Sequence, residues 1–360
     1  MIIKKISMNK PVISIIVPIY NVELYVEDCL KSVMNQSYDG HIECVVVDDC
    51  GTDGSMEIVE KLVSDYKGSI TFKILHHTHN RGLSAARNTG MDAAIGDYYF
   101  FLDSDDELTV DCIEKLVEPL KENRFDVVIG NVRYVNINVQ EVDESQVIKL
   151  PDKTLLTPPF ILRTYLNGWG QAAWNRLYRK NLIIENGIYF EEGLLFEDNL
   201  WSFQIACLAS SVFLITHITY IHKKNKSGIT GSTEPKLWIK SYRDTIKYIN
   251  LFAKNQQIKN EDIFQVYNKL FNIVLRCCNS SLSDYVSNYK DLRPFIYAPT
   301  KAILHTNHYS RKSFWQNIHY LLPLSIAPYW QYCVYSLYAI WLIMLKRCYN
   351  RMSVRDKKVA

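Results

Sequence analysis

The sequence has no Cys-x-x-Cys pair, although it carries nine cysteines, at positions 29, 44, 50, 112, 207, 277, 278, 333 and 348. An odd set without that spacing excludes a zinc ribbon and a disulfide framework, and it suits a reducing cytoplasm. Charge of one sign is lacking too. With 41 basic against 38 acidic residues the net charge is +3, too even a balance to imply nucleic acid as a partner. Met1 to Pro11 contains neither an apolar core nor a small-residue cleavage site, so secretion is not expected. After the first strand-like run there is no G-x-G-x-x-G and no G-x-x-x-x-G-K-[ST], which removes the main support for a dinucleotide-binding or P-loop enzyme.

What is present is a long alternation of strand and helix patterns. A hydrophobic content of 48% over 360 residues can bury a sizeable core, and the length suggests two to three domains. Val12 to Val17 is an apolar run closed by Pro18, as expected of a central strand in a parallel sheet. Helical spacing follows over Glu23 to Met34, then a strand over Cys44 to Val47, and a helix with Ile58, Val59, Leu62 and Val63 on one face. A third strand fits Thr71 to Leu75, a helix Ser84 to Ile95, a fourth strand Asp97 to Leu102, a helix around Cys112 to Val117, and a fifth strand Asp126 to Ile129. The alternation predicts an α/β, doubly wound, mostly parallel sheet with helices on both faces.

In such sheets ligands bind beyond the carboxyl ends of the strands. Polar clusters stand at those ends: Tyr20-Asn21, Asp48-Asp49, His79-Asn80-Arg81 and Asp103-Ser104-Asp105-Asp106. Each alone reads as a turn or cap; their joint occurrence at one edge points to a site. The last cluster ends the run Asp97-Tyr98-Tyr99-Phe100-Phe101-Leu102 in three carboxylates within four positions. Like charges this close call for a positive partner, and hard oxygen ligands suit Mg²⁺ or Mn²⁺. A surface turn capping the next helix is the other reading.

Val17-Pro18-Ile19-Tyr20-Asn21, Val47-Asp48-Asp49, Gly82-Leu83-Ser84-Ala85-Ala86-Arg87-Asn88 and Leu102-Asp103-Ser104-Asp105-Asp106 occur in that order. Together they resemble the successive blocks of the inverting, nucleotide-sugar-dependent glycosyltransferases of family two, with the GT-A fold, of the bacterial polysaccharide-biosynthesis type. The resemblance covers about residues 11 to 231. It implies a GT-A catalytic domain over residues 1–231, with a nucleotide-binding half at about 11–130 and an acceptor half at about 131–231.

The resemblance also implies roles. Asp49 would accept hydrogen bonds from uracil or ribose, Pro18 and Tyr20 would border the base, and Asn80, Arg87 and Ser104 would complete the nucleotide-sugar site. Cys50-Gly51 stands where the family usually has Gly-Ser, a departure that touches the turn and not Asp49. Asp103 and Asp105 match the family's D-x-D pair, with Asp105 the direct ligand of Mn²⁺ or Mg²⁺. Asp198, in Leu195-Phe196-Glu197-Asp198-Asn199, would be the base that takes the acceptor's proton, supported by Glu197. Trp174 and Asn175 would lie under the acceptor. Read as residues alone, Asp49 is also an N-cap, Arg87 a helix arginine paired with an acid of the motif loop, Asp106 a cap for a helix beginning near Thr109, and Trp174 a core residue opening a helix. His217 and His222, five apart on the run Val212 to His222, point to opposite faces and are not expected to share a metal. His222 with the lysines after it is a candidate phosphate lid, or simply a basic loop.

From Pro235 the composition turns helical and aromatic, a helical appendage over 232–320. No charged residue occurs from Tyr320 to Leu345, after which Lys346, Arg347, Arg351, Arg355, Lys357 and Lys358 are opposed only by Asp356. An apolar, Trp- and Tyr-rich helix followed by a basic tail suits the headgroup boundary of an anionic leaflet, so residues 321–360 are expected on the inner membrane surface or in a homodimer. The expected function is sugar transfer from a UDP-sugar to a glycan or lipid-linked glycan hydroxyl, in the cytoplasm. A sugar nucleotidyltransferase would need a Gly-rich, lysine-bearing signature after the first strand. An inactive nucleotide-sugar-binding or assembly subunit would not need acids at 103, 105 and 198.

Overall fold

A computed structural model describes residues 10–136, 141–143, 148–224, 234–278, 281–304 and 317–334. The chain divides into two compact units, Met1–Ser232 and Thr233–Ala360. In the first, the apolar runs become β1 (Ile13–Ile19), β2 (Ile42–Asp48) and β4 (Tyr98–Phe101), and β1 and β4 are buried along their whole length. Strands covered on both faces need continuous apolar sequence, which is why they read without alternation. β3 (Thr71–His76) lies outside β2, giving the parallel order β3-β2-β1-β4. Helices α1 (Val26–Met34), α2 (Ser55–Asp65), α3 (Leu83–Ala93) and α4 (Cys112–Val117) complete the alternation. The α/β sheet with flanking helices and the C-terminal helical region are as expected.

The sheet is mixed beyond β4. β9 (Arg176–Arg179) runs antiparallel to both β4 and β6 (Val127–Asn136) and fills the slot between them. Trp174 therefore precedes a strand, not a helix: Leu177 and Tyr178 are fully buried there, and pairing on both edges outweighs any local helical preference. β10 (Val212–Lys224) lies parallel to β6 and antiparallel to the short β5 (Glu107–Leu108) and β8 (Thr154–Leu156), while β7 (Glu141–Asp143) pairs with the end of β6. Two short helices, α5 (Phe160–Thr164) and α6 (Lys180–Glu185), precede α7 (Asp198–Leu208).

Helix α3 lies close against β1 because its inner face is small. Ala85 and Ala86 are fully buried, and a Cβ at Gly90 would sit 2.4 Å from Ile16 Cγ2. That close approach brings Arg87 directly over the sheet edge.

The second unit is helical: α8 (Pro235–Asn255), α9 (Asn260–Cys277), α10 (Leu282–Leu304) and a tight turn at Ile318–Leu321. Phe264, Tyr267, Leu270, Phe271, Val274 and Leu275 form a buried stripe on α9 at helical spacing. Phe271 meets Tyr289 and Tyr320 edge to face, with ring centroids 5.4 and 5.1 Å away. Among the described residues no helix is long and apolar enough to cross a membrane. The apolar run after Val334 and the basic tail lie outside the described residues.

Candidate active site

The carboxyl ends of β1, β2 and β3 are level, since Ile19 pairs with Asp48 and Asp48 with His76. Beyond them the chain repeatedly turns through left-handed backbone at residues other than glycine: Asn21 (φ 51°), Cys50 (φ 59°), Asn175 (φ 61°) and Phe196 (φ 59°). Such conformations cost free energy and collect at functional edges. Asn21 is held by its own carboxamide, whose oxygen accepts from Thr52 N at 2.8 Å.

Three acids from two distant motifs meet one cation. Arg87 Nη2 donates to Asp103 Oδ1 at 2.7 Å, and Nη1 donates to Glu197 Oε1 at 2.5 Å and Asp198 Oδ1 at 3.0 Å. Asp103 ends β4, while Glu197 and Asp198 open α7, so α3 links the two through a single side chain. The residue-level reading of this arginine holds: it is a helix arginine bound to an acid of the motif loop. The guanidinium is walled by rings, lying 5.1 Å from the Phe190 centroid and 6.0 Å from that of Phe101, with Trp201 stacked on Phe190 at 4.1 Å. In that apolar setting the pairing is strong and each unpaired charge is costly.

One guanidinium cannot neutralise three carboxylates. Burial and the Asp198 charge push the Glu197 carboxyl up, against the pull of Arg87. Burial raises Asp198 as well, opposed by Arg87 and reinforced by Asp103. Burial alone would lower Arg87, but Asp103, Asp198 and Glu197 hold it well above its ordinary value. Solvent reaches the cluster unevenly: the side chains of Asp103 and Asp198 are 25% and 24% exposed, against 10% for Glu197 and 1% for Arg87. Asp198 is therefore the presented member of the acidic pair, and Glu197 stands behind it.

The neighbouring acids divide their work. Burial, with the charges of Asp106 and Asp103, lifts Asp105 to about 7. Apart from its own backbone N–H, no group among the described residues donates to its carboxylate. Asp106 is different. It is 1% exposed and accepts from Tyr220 Oη at 2.8 Å and Lys223 N at 2.8 Å, with His222 Nδ1 2.9 Å away. It is not a helix cap: the described helix starts at Cys112, and three groups of β10 take both its oxygens. His217 meets a separate acid, Asp111, at 2.9 Å, so the two histidines share nothing.

The chemistry of the donor set can be matched to a cation. Among the described residues no trio of His, Cys, Asp or Glu is arranged to hold a metal by itself. What the loop offers is the unengaged carboxylate of Asp105 and the second oxygen of Asp103. One or two hard oxygens fit Mg²⁺ or Mn²⁺, which keep waters and take the rest of their shell from phosphate.

Other expected residues are placed variously. Tyr20 is 46% exposed and Asn80 is exposed, both at the edge. Pro18 is buried within β1, and Ser104 is buried in the motif loop. Asp49 is 2% exposed, and its oxygens serve the chain itself: Oδ1 accepts from Arg81 N at 2.8 Å and lies 2.6 Å from His77 Nδ1, while Oδ2 accepts from Gly82 N at 2.8 Å. It thereby fixes the loop that carries Asn80 and the left-handed Gly82 (φ 86°) opening α3. Asn175 is buried, with Nδ2 donating to the carbonyls of Gly130 and Asn131 and Oδ1 accepting from Thr219, so it shapes the frame and offers no open atom. Trp174 is half-buried and stacks on Tyr220 at 4.6 Å and on His222 at 5.4 Å. A cleft of about 570 Å³ beside the cluster is lined by Arg81, Asn88, Asp92, Tyr189, Glu192 and Gln204, among others, but by none of the motif acids.

Residues that sequence reasoning passed over are Tyr220, His77 and Phe190. Tyr220 had one signal, its two-residue spacing from His222 on a strand pattern, which puts both on one face.

Residues 14–187 match the profile of glycosyl transferase family 2. Over 288 residues the chain is 28% identical to glycosyltransferase GlyA of Streptococcus pneumoniae serotype 4, covering 78% of this chain and 40% of GlyA. Over 228 residues it is 31% identical to the uncharacterized glycosyltransferase EpsJ of Bacillus subtilis, covering 61% of this chain and 63% of EpsJ. The chain thus spans less than two thirds of the length of these relatives. The crystal structure of Staphylococcus aureus TarS superposes with a TM-score of 0.60 at 21% identity, over 81% of this chain and 50% of that one, a likeness of fold.

Proposed function

Because this chain belongs to glycosyl transferase family 2 and has the GT-A fold, we propose that it transfers a sugar from a UDP-sugar to a hydroxyl of a glycan acceptor, with inversion. The observation that carries the reading is the meeting of Asp103, Glu197 and Asp198 on buried Arg87, which couples the motif loop to the acids opening α7. TarS of Staphylococcus aureus, 29% identical over 219 residues, is named a poly(ribitol-phosphate) beta-N-acetylglucosaminyltransferase, and its residues 1–349 have been crystallised in complex with UDP-GlcNAc. Those names support a nucleotide-sugar donor; a cell-surface, lipid-linked glycan as acceptor is our own reading.

Tyr20 and Asn80 flank the nucleotide in this scheme, and Asp49 contributes by holding the Asn80 loop. Asp105, with Asp103, would hold Mn²⁺ or Mg²⁺, and that cation would supply positive charge against the departing diphosphate. Asp198 takes the proton of the attacking hydroxyl from the face opposite the leaving group. Arg87 keeps that carboxylate in place, while burial and the charge of Asp103 keep it basic enough to accept a proton. Trp174 offers its ring to the acceptor sugar. Residues 321–360 lie on the inner face of the plasma membrane in this reading, which the exposed Leu324, Ile326, Tyr329 and Trp330 support.

Calorimetric titration with UDP and then GDP, each with Mn²⁺ and with a chelator, tests the donor site. Metal-dependent UDP binding that disappears in Asp105→Asn is the expected result. If neither nucleotide binds, the proposed function fails.

A further inference from the structure

The carboxylate after the D-x-D pair is fastened to a tyrosine that also grips the pair itself. Tyr220 is fully buried on β10, and its hydroxyl donates to Asp106 Oδ2 at 2.8 Å while accepting from the backbone N–H of Asp103 at 3.2 Å. A phenol has one proton to give, and here it goes to the acid. The ring has little freedom, because Trp174 lies flat against it at 4.6 Å with planes inclined by 14°. Its backbone closes the loop from the other side: Tyr220 pairs with Leu108 and Ile221 with Glu107 across β10 and β5. The loop between Leu102 and Glu107 is thus anchored at both ends by strands, and in its middle Tyr220 grips both Asp106, which His222 and Lys223 N also hold, and the Asp103 N–H.

We propose that Tyr220 is a positioning residue: through Asp103 N–H and Asp106 it sets the pose of the motif loop, turning Asp103 towards Arg87 and leaving Asp105 unengaged. Asp106 acts as the buried anchor of this clamp and not as a ligand. The proposal rests on the reading of the site as a glycosyltransferase centre.

Tyr220→Phe removes only the hydroxyl and keeps the ring on Trp174. In the full-length chain, hydrogen–deuterium exchange should quicken about tenfold across 102–107 and stay unchanged in β1 and β2. Tyr267→Phe, which deletes a hydroxyl bound to Asn250 in the second unit, serves as control and should leave 102–107 unchanged. With UDP-N-acetylglucosamine or UDP-glucose and Mn²⁺, release of UDP should show kcat down about tenfold and donor KM within about threefold. Asp106→Asn should reproduce both effects. Unchanged exchange across 102–107, exchange that quickens equally throughout the sheet, or a raised KM with kcat unchanged would each overturn the assignment. A wild type that neither binds nor turns over these donors sinks the proposed function instead, and the exchange comparison alone then decides the clamp.

Discussion

The unit ending at Ser232 carries charge in its interior: Arg87, 1% exposed, faces Asp103, Glu197 and Asp198, and Asp106 is buried under Tyr220 and His222. The unit beginning at Thr233 buries rings instead, with Tyr289 and Tyr320 against one histidine, His319, that is itself 1% exposed, and Phe271 against both tyrosines. His319 Nδ1 lies 2.9 Å from Tyr289 Oη, and burial pulls its pKa down to about 3. One unit keeps ions inside and pairs them incompletely; the other keeps its titratable group neutral. Buried ions add little net stability, because desolvation offsets their attraction, but they hold carboxylates at altered proton affinity where chemistry can use them. Buried rings do the reverse, supplying packing and no poised charge.

The comparison can be broken most forcefully at Arg87. Arg87→Met leaves three carboxylates without their cation, and a loss of about 3–5 kcal/mol is expected, confined to the first unit. Denaturation followed by exchange in peptides of α3 and α9 separately measures it. An equal loss in both units would show that the cluster is not a local device.

Asp198→Asn sharpens the contrast between stability and chemistry. The amide keeps the shape and removes one of two adjoining negative charges, so stability should move by less than about 1 kcal/mol, while turnover falls by about 10²–10⁴. Unchanged turnover in steady-state kinetics would remove Asp198 from the role of base.

Acid separates the units with opposite signs. Between pH 6.5 and about 3 the unfolded chain protonates His319 and the folded one does not, so this contribution to stability is complete above 6.5 and is lost as pH falls. The slope reaches about 1.4 kcal/mol per pH unit, and the gap in denaturation midpoint between wild type and His319→Asn should shrink accordingly. Glu197 behaves in reverse. Its raised affinity means that the folded state holds a proton the unfolded state has released, so its contribution falls as pH rises from the ordinary carboxylate range towards neutrality. Glu197→Gln should abolish that trend, and a gap independent of pH in either pair would contradict the corresponding burial.

The central strands were legible because burial on both faces forces an unbroken apolar run, as in Ile13–Ile19 and Tyr98–Phe101. β9 was not legible. Arg176–Arg179 is four residues long with arginine at both ends, and it becomes a strand only because β4 and β6 leave a slot for it. Asp49 shows a second limit. Its place at a strand end announces importance, but whether its oxygens face a ligand or the loop at Arg81 and Gly82 depends on how that loop folds back.

By itself, then, the sequence determined the alternation of strands and helices, the edge where the polar clusters stand and the identity of the acids, since all of these follow from local periodicity and strand ends. Only the tertiary structure decided which acids share a cation. Asp103 lies 16 residues from Arg87 and Asp198 lies 111, a separation that no local pattern spans. The packing of α3 on β1 and of Trp201 on Phe190 brings them together, and the low dielectric of that packing gives the carboxylates their raised proton affinity.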